Sequence, residues 1–138
     1  MPEEVRYRAG LTAYASQFGV TEDEVHATLS SFIGPSMAAD GIIATGSAWG
    51  EGSLSWRERS IVVISSMVTQ GGIDARLVGH LKWGMANGLA RAELEELIQM
   101  LAGYVGYPKA SVAMELLRSI AAPSTPPTNG WLRTGRTG

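Results

Sequence analysis

Apolar residues recur along the chain at the spacing of a helix face, and glycine or proline punctuates the recurrence. Tyr7, Leu11, Tyr14, Ala15 and Phe18 predict a helix from Glu3 to Phe18, with Gly19 as a left-handed terminator. Thr21 and Glu24 form a capping-box pattern ahead of Val25, Leu29, Phe32 and Ile33, and Gly34-Pro35 ends that helix. Met37 to Ala48 reads as a third helix. Its Gly41 and Gly46 speak against it, each costing about 1 kcal/mol relative to alanine in a helix interior. Gly50 to Ser53 reads as a loop.

Ser55 and Glu58 form a second capping-box pattern, opening Trp56 to Gln70. That stretch is rich in β-branched residues and has the propensity of a buried strand. The cap favours a helix, and no strand-like partner occurs elsewhere. Gly71-Gly72 closes it, and Asp74 is expected to cap a helix from Ala75 to Asn87, closed by Gly88. Leu94, Leu97, Ile98 and Leu101 define a helix over Arg91 to Tyr104. Gly106 breaks it, and Pro108 suits the first turn of a last helix carrying Val112, Ala113, Leu116, Leu117 and Ile120. Met67, Met85 and Met100 fall at core spacing and read as packing.

The pattern therefore predicts an all-α protein of six or seven helices in a single domain over residues 1–121. Residues 122–138 form a tail, where Pro123, Pro126 and Pro127 cannot continue a helix. Trp131 in that tail is either an exposed residue or an anchor on a neighbouring subunit.

Composition narrows the chemistry. The 138 residues fit one domain. Charged residues make up 17%, against about 25% in typical soluble domains, so some surface is expected to be covered by partner subunits. With no cysteine, the chain has no disulfide, thiolate metal site or thiol redox chemistry. A net charge of −2 offers no basic face for nucleic acid, and two histidines do not make a histidine-rich metal cage. The longest apolar run, Ile61 to Ile64, is far from a membrane span. The acidic start, Met1-Pro2-Glu3-Glu4, is unlike a signal peptide, so a cytoplasmic protein is expected.

Four segments, in order, resemble the carboxymuconolactone decarboxylase family, the all-helical group that includes the alkylhydroperoxidase D proteins. They are Leu54-Ser55-Trp56-Arg57-Glu58-Arg59-Ser60, Leu77-Val78-Gly79-His80, Asn87-Gly88 with Glu93 and Glu96, and Tyr104-Val105-Gly106-Tyr107-Pro108. Ala48-Trp49-Gly50-Glu51 resembles the stretch that precedes the arginine motif in the decarboxylase branch. The peroxidase branch of that family works through a Cys-x-x-Cys pair, whose matching positions here lie near Ile73 and Arg76, so thiol peroxidase chemistry is excluded. The decarboxylase branch removes carbon dioxide from a carboxylated muconolactone, a product of aromatic catabolism, without a cofactor. The resemblance implies a homo-oligomer, trimeric or hexameric, acting on a small molecule, with no metal.

Such a reaction needs a donor for the charge that develops on the lactone oxygen, a partner for the carboxylate and a proton carrier. His80 is the first candidate, as enolate donor or proton carrier. With Leu77 and Leu81 nearby on the same face it is expected to point inward, and Gly84, four residues on, to leave room beside its ring. The competing reading is a buried histidine satisfied by a backbone carbonyl. Arg57, Arg59 and Arg76 are candidate carboxylate partners, since a guanidinium grips a carboxylate with two parallel bonds. Arg57 and Arg59, two positions apart, face different sides of their helix, and Arg59 is the slight favourite, as a catalytic cation. Glu58 either completes its capping box or acts in catalysis, orienting His80 or exchanging protons with substrate. The better match to the peroxidase glutamate is Ser60, which puts a glutamate–histidine relay in doubt.

Tyr104, Tyr107 and Trp83 are candidate substrate contacts, with a core role the alternative for the tyrosines. Glu93 and Glu96 read as acids suited to a helix start, Asn87-Gly88 as a turn, and His26 as a surface residue. The first 50 residues carry no legible chemistry and are expected to serve subunit contact. The expected function is a cofactor-independent lyase. Its rivals are an isomerase, lactone hydrolase or cyclase on the same scaffold, or a non-catalytic binding or assembly protein.

Overall fold

The computed structural model describes residues 1–121; Trp131 and the rest of 122–138 lie outside the described residues. Among the described residues seven helices follow one another: α1 (Glu3–Phe18), α2 (Glu22–Ile33), α3 (Pro35–Gly50), α4 (Trp56–Gln70), α5 (Asp74–Ala86), α6 (Arg91–Val105) and α7 (Tyr107–Ser119). There is no strand among the described residues.

The helices pack as two units. In the first, α1 lies along α3 with α2 against both, around Val25, Leu29, Ala38 and Ile42. In the second, α4 to α7 enclose Ile64, Val68, Leu81, Leu94, Ile98 and Leu117. Burying each of these side chains contributes about 1.5–3 kcal/mol against leaving it in water.

Local signals set the boundaries. Gly19 adopts φ 68° and ψ 36°, and its N–H donates to the Ala15 carbonyl, closing α1. At α4 the capping box is reciprocal: the Glu58 N–H donates to Ser55 Oγ (3.1 Å) and the Ser55 N–H to the Glu58 carboxylate (2.8 Å). The β-branched segment is thus helical, and it buries Ser60, Ile64 and Val68 at four-residue intervals on one face.

The third helix runs further than expected, in spite of its glycines, and tertiary packing explains why. A Cβ at Gly46 would sit 1.7 Å from the Arg6 carbonyl oxygen, and one at Gly10 would sit 1.8 Å from that of Ile42. The glycines let the α1 and α3 backbones touch.

Two local expectations are corrected. Asp74 does not cap α5: the helix starts one residue early, after the positive-φ pair Gly71-Gly72, with Ile73 as N-cap and no side-chain cap hydrogen bond. Asp74 is left in the first turn, where an acid suits the helix dipole. Met100 is 66% exposed and belongs to the surface of α6, because Leu94 and Ile98 already define its buried face.

The two units meet at a seam of three tryptophans. Trp49 from α3, Trp56 from the start of α4 and Trp83 from α5 have ring centroids 4.3–5.9 Å apart. Their N–H groups stitch the seam: Trp83 Nε1 donates to Ser16 Oγ (3.0 Å) and Trp56 Nε1 to the Trp49 carbonyl (3.2 Å). None of the helices among the described residues is long and apolar enough to cross a membrane.

Candidate functional site

Beside the tryptophan seam the units part to leave a cavity of about 460 Å³, within the size range of small-molecule sites. One wall belongs to α5, where Arg76, Gly79 and His80 face it. Arg76 and His80 are four residues apart, so the helix stacks them on one face. The opposite walls come from the first unit: Tyr14, Gln17 and Phe18 on α1, Phe32 on α2, and Thr45 and Trp49 on α3.

His80 is half-buried, its ring centroid 6.0 Å from that of Trp83. Burial first, and the neighbouring Arg76 guanidinium second, hold its pKa below the ordinary histidine value. The imidazole is therefore neutral near pH 7, with one N–H to give and one lone pair to receive. Among the described residues nothing hydrogen-bonds either ring nitrogen, in contrast to a histidine satisfied by a backbone carbonyl. The space beside the ring does not come from Gly84, which faces the core with Ile64 and Leu89 against it; open space adjoins Gly79 instead. Gly84 serves the contact between α5 and α4.

The arginines divide sharply. Arg59, the favoured one, lies away from the cavity. Its guanidinium donates to the backbone carbonyls of Leu54 (2.9 Å, from Nε), Ala48 and Glu51, fastening the end of α3 to the start of α4. Arg57 is also outside the cavity, pairing with Glu93 and donating from Nε to the Gly88 carbonyl (3.3 Å). Arg76 is exposed at the cavity wall, and among the described residues it makes no ion pair or side-chain hydrogen bond. It is the guanidinium with donors to spare at this cavity.

Glu58 is held by Ser55, whose backbone N–H and side chain lower its pKa, and it does not line the cavity. Ser60 is buried and accepts a hydrogen bond from Asn87 Nδ2 (3.0 Å), so Asn87 ties α5 to α4 besides ending its helix. Glu93 takes the Ala90 N–H and the Arg57 guanidinium, a structural use. Tyr104 and Tyr107 are 80% and 76% exposed and do not line the cavity: Tyr104 follows the exposed Met100 by one turn on the outer side of α6, and Tyr107 is the first residue of α7. Trp83 is buried in the seam and does not line the cavity; it backs two residues that do, Trp49 and His80. His26 is half-buried, with Nε2 donating to the Pro35 carbonyl (3.2 Å), rather than free on the surface.

The first 50 residues, expected to serve subunit contact, supply more than half of the residues that line the cavity. Tyr14 and Phe18 were legible as one helical face. Nothing in the sequence aims that face at α5, because the seam that does so joins residues 67 positions apart.

A second cavity of about 480 Å³ lies where the α4–α5 turn meets α7. Its Lys109 ammonium is occupied by the Thr69 carbonyl (2.7 Å), and it holds no imidazole. No cluster of histidine, aspartate and glutamate suited to a metal ion occurs among the described residues.

A family model described as the carboxymuconolactone decarboxylase family matches residues 36–119, from the start of α3 to the end of α7. No curated protein matches the chain.

Proposed function

The chain belongs to the carboxymuconolactone decarboxylase family, the match covering more than half its length, and on that premise we propose that it is a cofactor-independent lyase acting on a small carboxylated lactone or related cyclic acid. One observation carries the reading: His80 and Arg76 stand one helical turn apart on the same cavity, both with unused donors.

Decarboxylation breaks the bond between ring and carboxylate, and the electron pair moves into the conjugated lactone carbonyl, giving a dienolate and free carbon dioxide. Water supplies the one proton that the ring carbon then takes up. The neutral His80 N–H suits the developing oxyanion, and one such donor is worth about 3–4 kcal/mol in the transition state. Arg76 suits charge that persists: the enolate oxygen or a carboxylate that remains on the ring. A guanidinium clamped on the departing carboxylate would stabilise the ground state and slow the reaction.

The test is carbon dioxide release from carboxymuconolactone. Wild type should turn over, and His80→Ala should lose about 10²–10³ in kcat with its circular dichroism unchanged. Wild type that converts the lactone without releasing carbon dioxide would reassign the site to isomerisation or ring opening; no conversion at all would leave a binding protein. Assembly into a homo-oligomer is part of the proposal, supported by the exposed Met100, Tyr104, Tyr107 and Val112 side chains on α6 and α7. Light scattering that finds a monomer would remove that part.

A further inference from the structure

The family-matched region starts at residue 36, so α1 and α2 lie ahead of it, yet they supply the cavity wall that faces Arg76 and His80. We propose that these two helices are the specificity element of the site and select a planar, unsaturated ring bearing an anionic oxygen group. The inference rests on the cavity being the substrate site.

The wall they supply carries Gln17 and Leu29 and is otherwise aromatic. Tyr14 and Phe18, four residues apart on α1, stack with centroids 5.1 Å apart and planes 25° apart. Phe32 from α2 meets Phe18 edge-on at 6.3 Å and 64°. Phe32 is 67% exposed, a large apolar ring left at the cavity wall instead of in the core around Val25 and Leu29. Across the cavity stand the guanidinium of Arg76 and the neutral imidazole of His80. A ligand satisfying both sides carries its charge on one edge and a flat π-face on the other, because aromatic rings favour offset or edge contacts with one another. A purely apolar wall would prefer the saturated ring, which has more hydrogen-clad surface to remove from water. The two cases thus differ in sign.

The experiment titrates the full chain calorimetrically with benzoate, cyclohexanecarboxylate and benzamide. Benzoate should bind about 10-fold tighter than cyclohexanecarboxylate, and benzamide should bind more weakly than benzoate. Phe32→Leu keeps an apolar side chain at an exposed position, so folding is not at stake; it should cut the benzoate preference about 3-fold. Adding Phe18→Leu should bring the preference close to 1. Arg76→Gln should weaken both acids alike and leave their ratio unchanged. Equal affinity for the two acids, a preference for the saturated one, no binding of either, or a ratio indifferent to Phe32→Leu would each overturn the inference. Carbon dioxide release without ring preference sinks this inference alone, whereas ring preference without carbon dioxide release sinks the lyase reading alone.

Discussion

The two helical units solve the same packing problem in opposite ways. In α1–α3 the decisive residues have no side chain: Gly10 and Gly46 bring two backbones into contact, and the core around them is small. In α4–α7 the helices are held apart by branched aliphatic side chains that fill the space between them. The first unit is intolerant of added atoms and the second of removed ones. Between units built on such different spacings the surfaces do not match along their whole length. They meet at the tryptophans and diverge beside them, and the divergence is the cavity.

Substitutions that reverse the sign of volume change break this contrast most directly. Leu81→Ala, at a fully buried site in the second unit, should cost about 3–4 kcal/mol in urea unfolding. Gly46→Ala, a single added methyl, should cost about 3 kcal/mol, because the obstructing atom is the Arg6 backbone oxygen, which has no rotamer to change. A midpoint for Gly46→Ala equal to that of wild type would refute the backbone-contact account. Arg59→Met should cost about 1–2 kcal/mol through the carbonyl contacts that join the units. Gly79→Ala, in open space beside the cavity, should stabilise by up to about 1 kcal/mol.

The smallest effect is electrostatic. The native pKa of His80 lies below that of the unfolded chain, so the unfolded state binds more protons between the two values. This contribution to stability is present above the unfolded value of about 6.5 and is lost as pH falls toward the native one. His80→Gln should flatten that part of the stability–pH curve, leaving the slope that the carboxylates produce. An unchanged slope between pH 7.5 and 5 would mean that the imidazole is not desolvated.

Helix existence and most boundaries were legible because they depend on nearby residues: Gly19, the Ser55–Glu58 box and Gly106 act within one or two turns. Even the β-branched segment Trp56–Gln70 was decided by its cap. His80 was legible as the candidate imidazole through its motif. The choice among arginines was not. Helical phase alone favoured Arg59, and what separates Arg57, Arg59 and Arg76 is whether a carbonyl or carboxylate of the folded chain occupies the guanidinium.

The amino-acid sequence by itself determined an all-helical chain of six or seven helices, the absence of thiol chemistry and the family, since each follows from local spacing, composition or motif order. The tertiary structure alone decided which cation is free, that Gly46 is a contact rather than a flaw, and that α1 and α2 wall the cavity. Those properties depend on distances between residues far apart in the chain, and such distances exist only once the two units have docked.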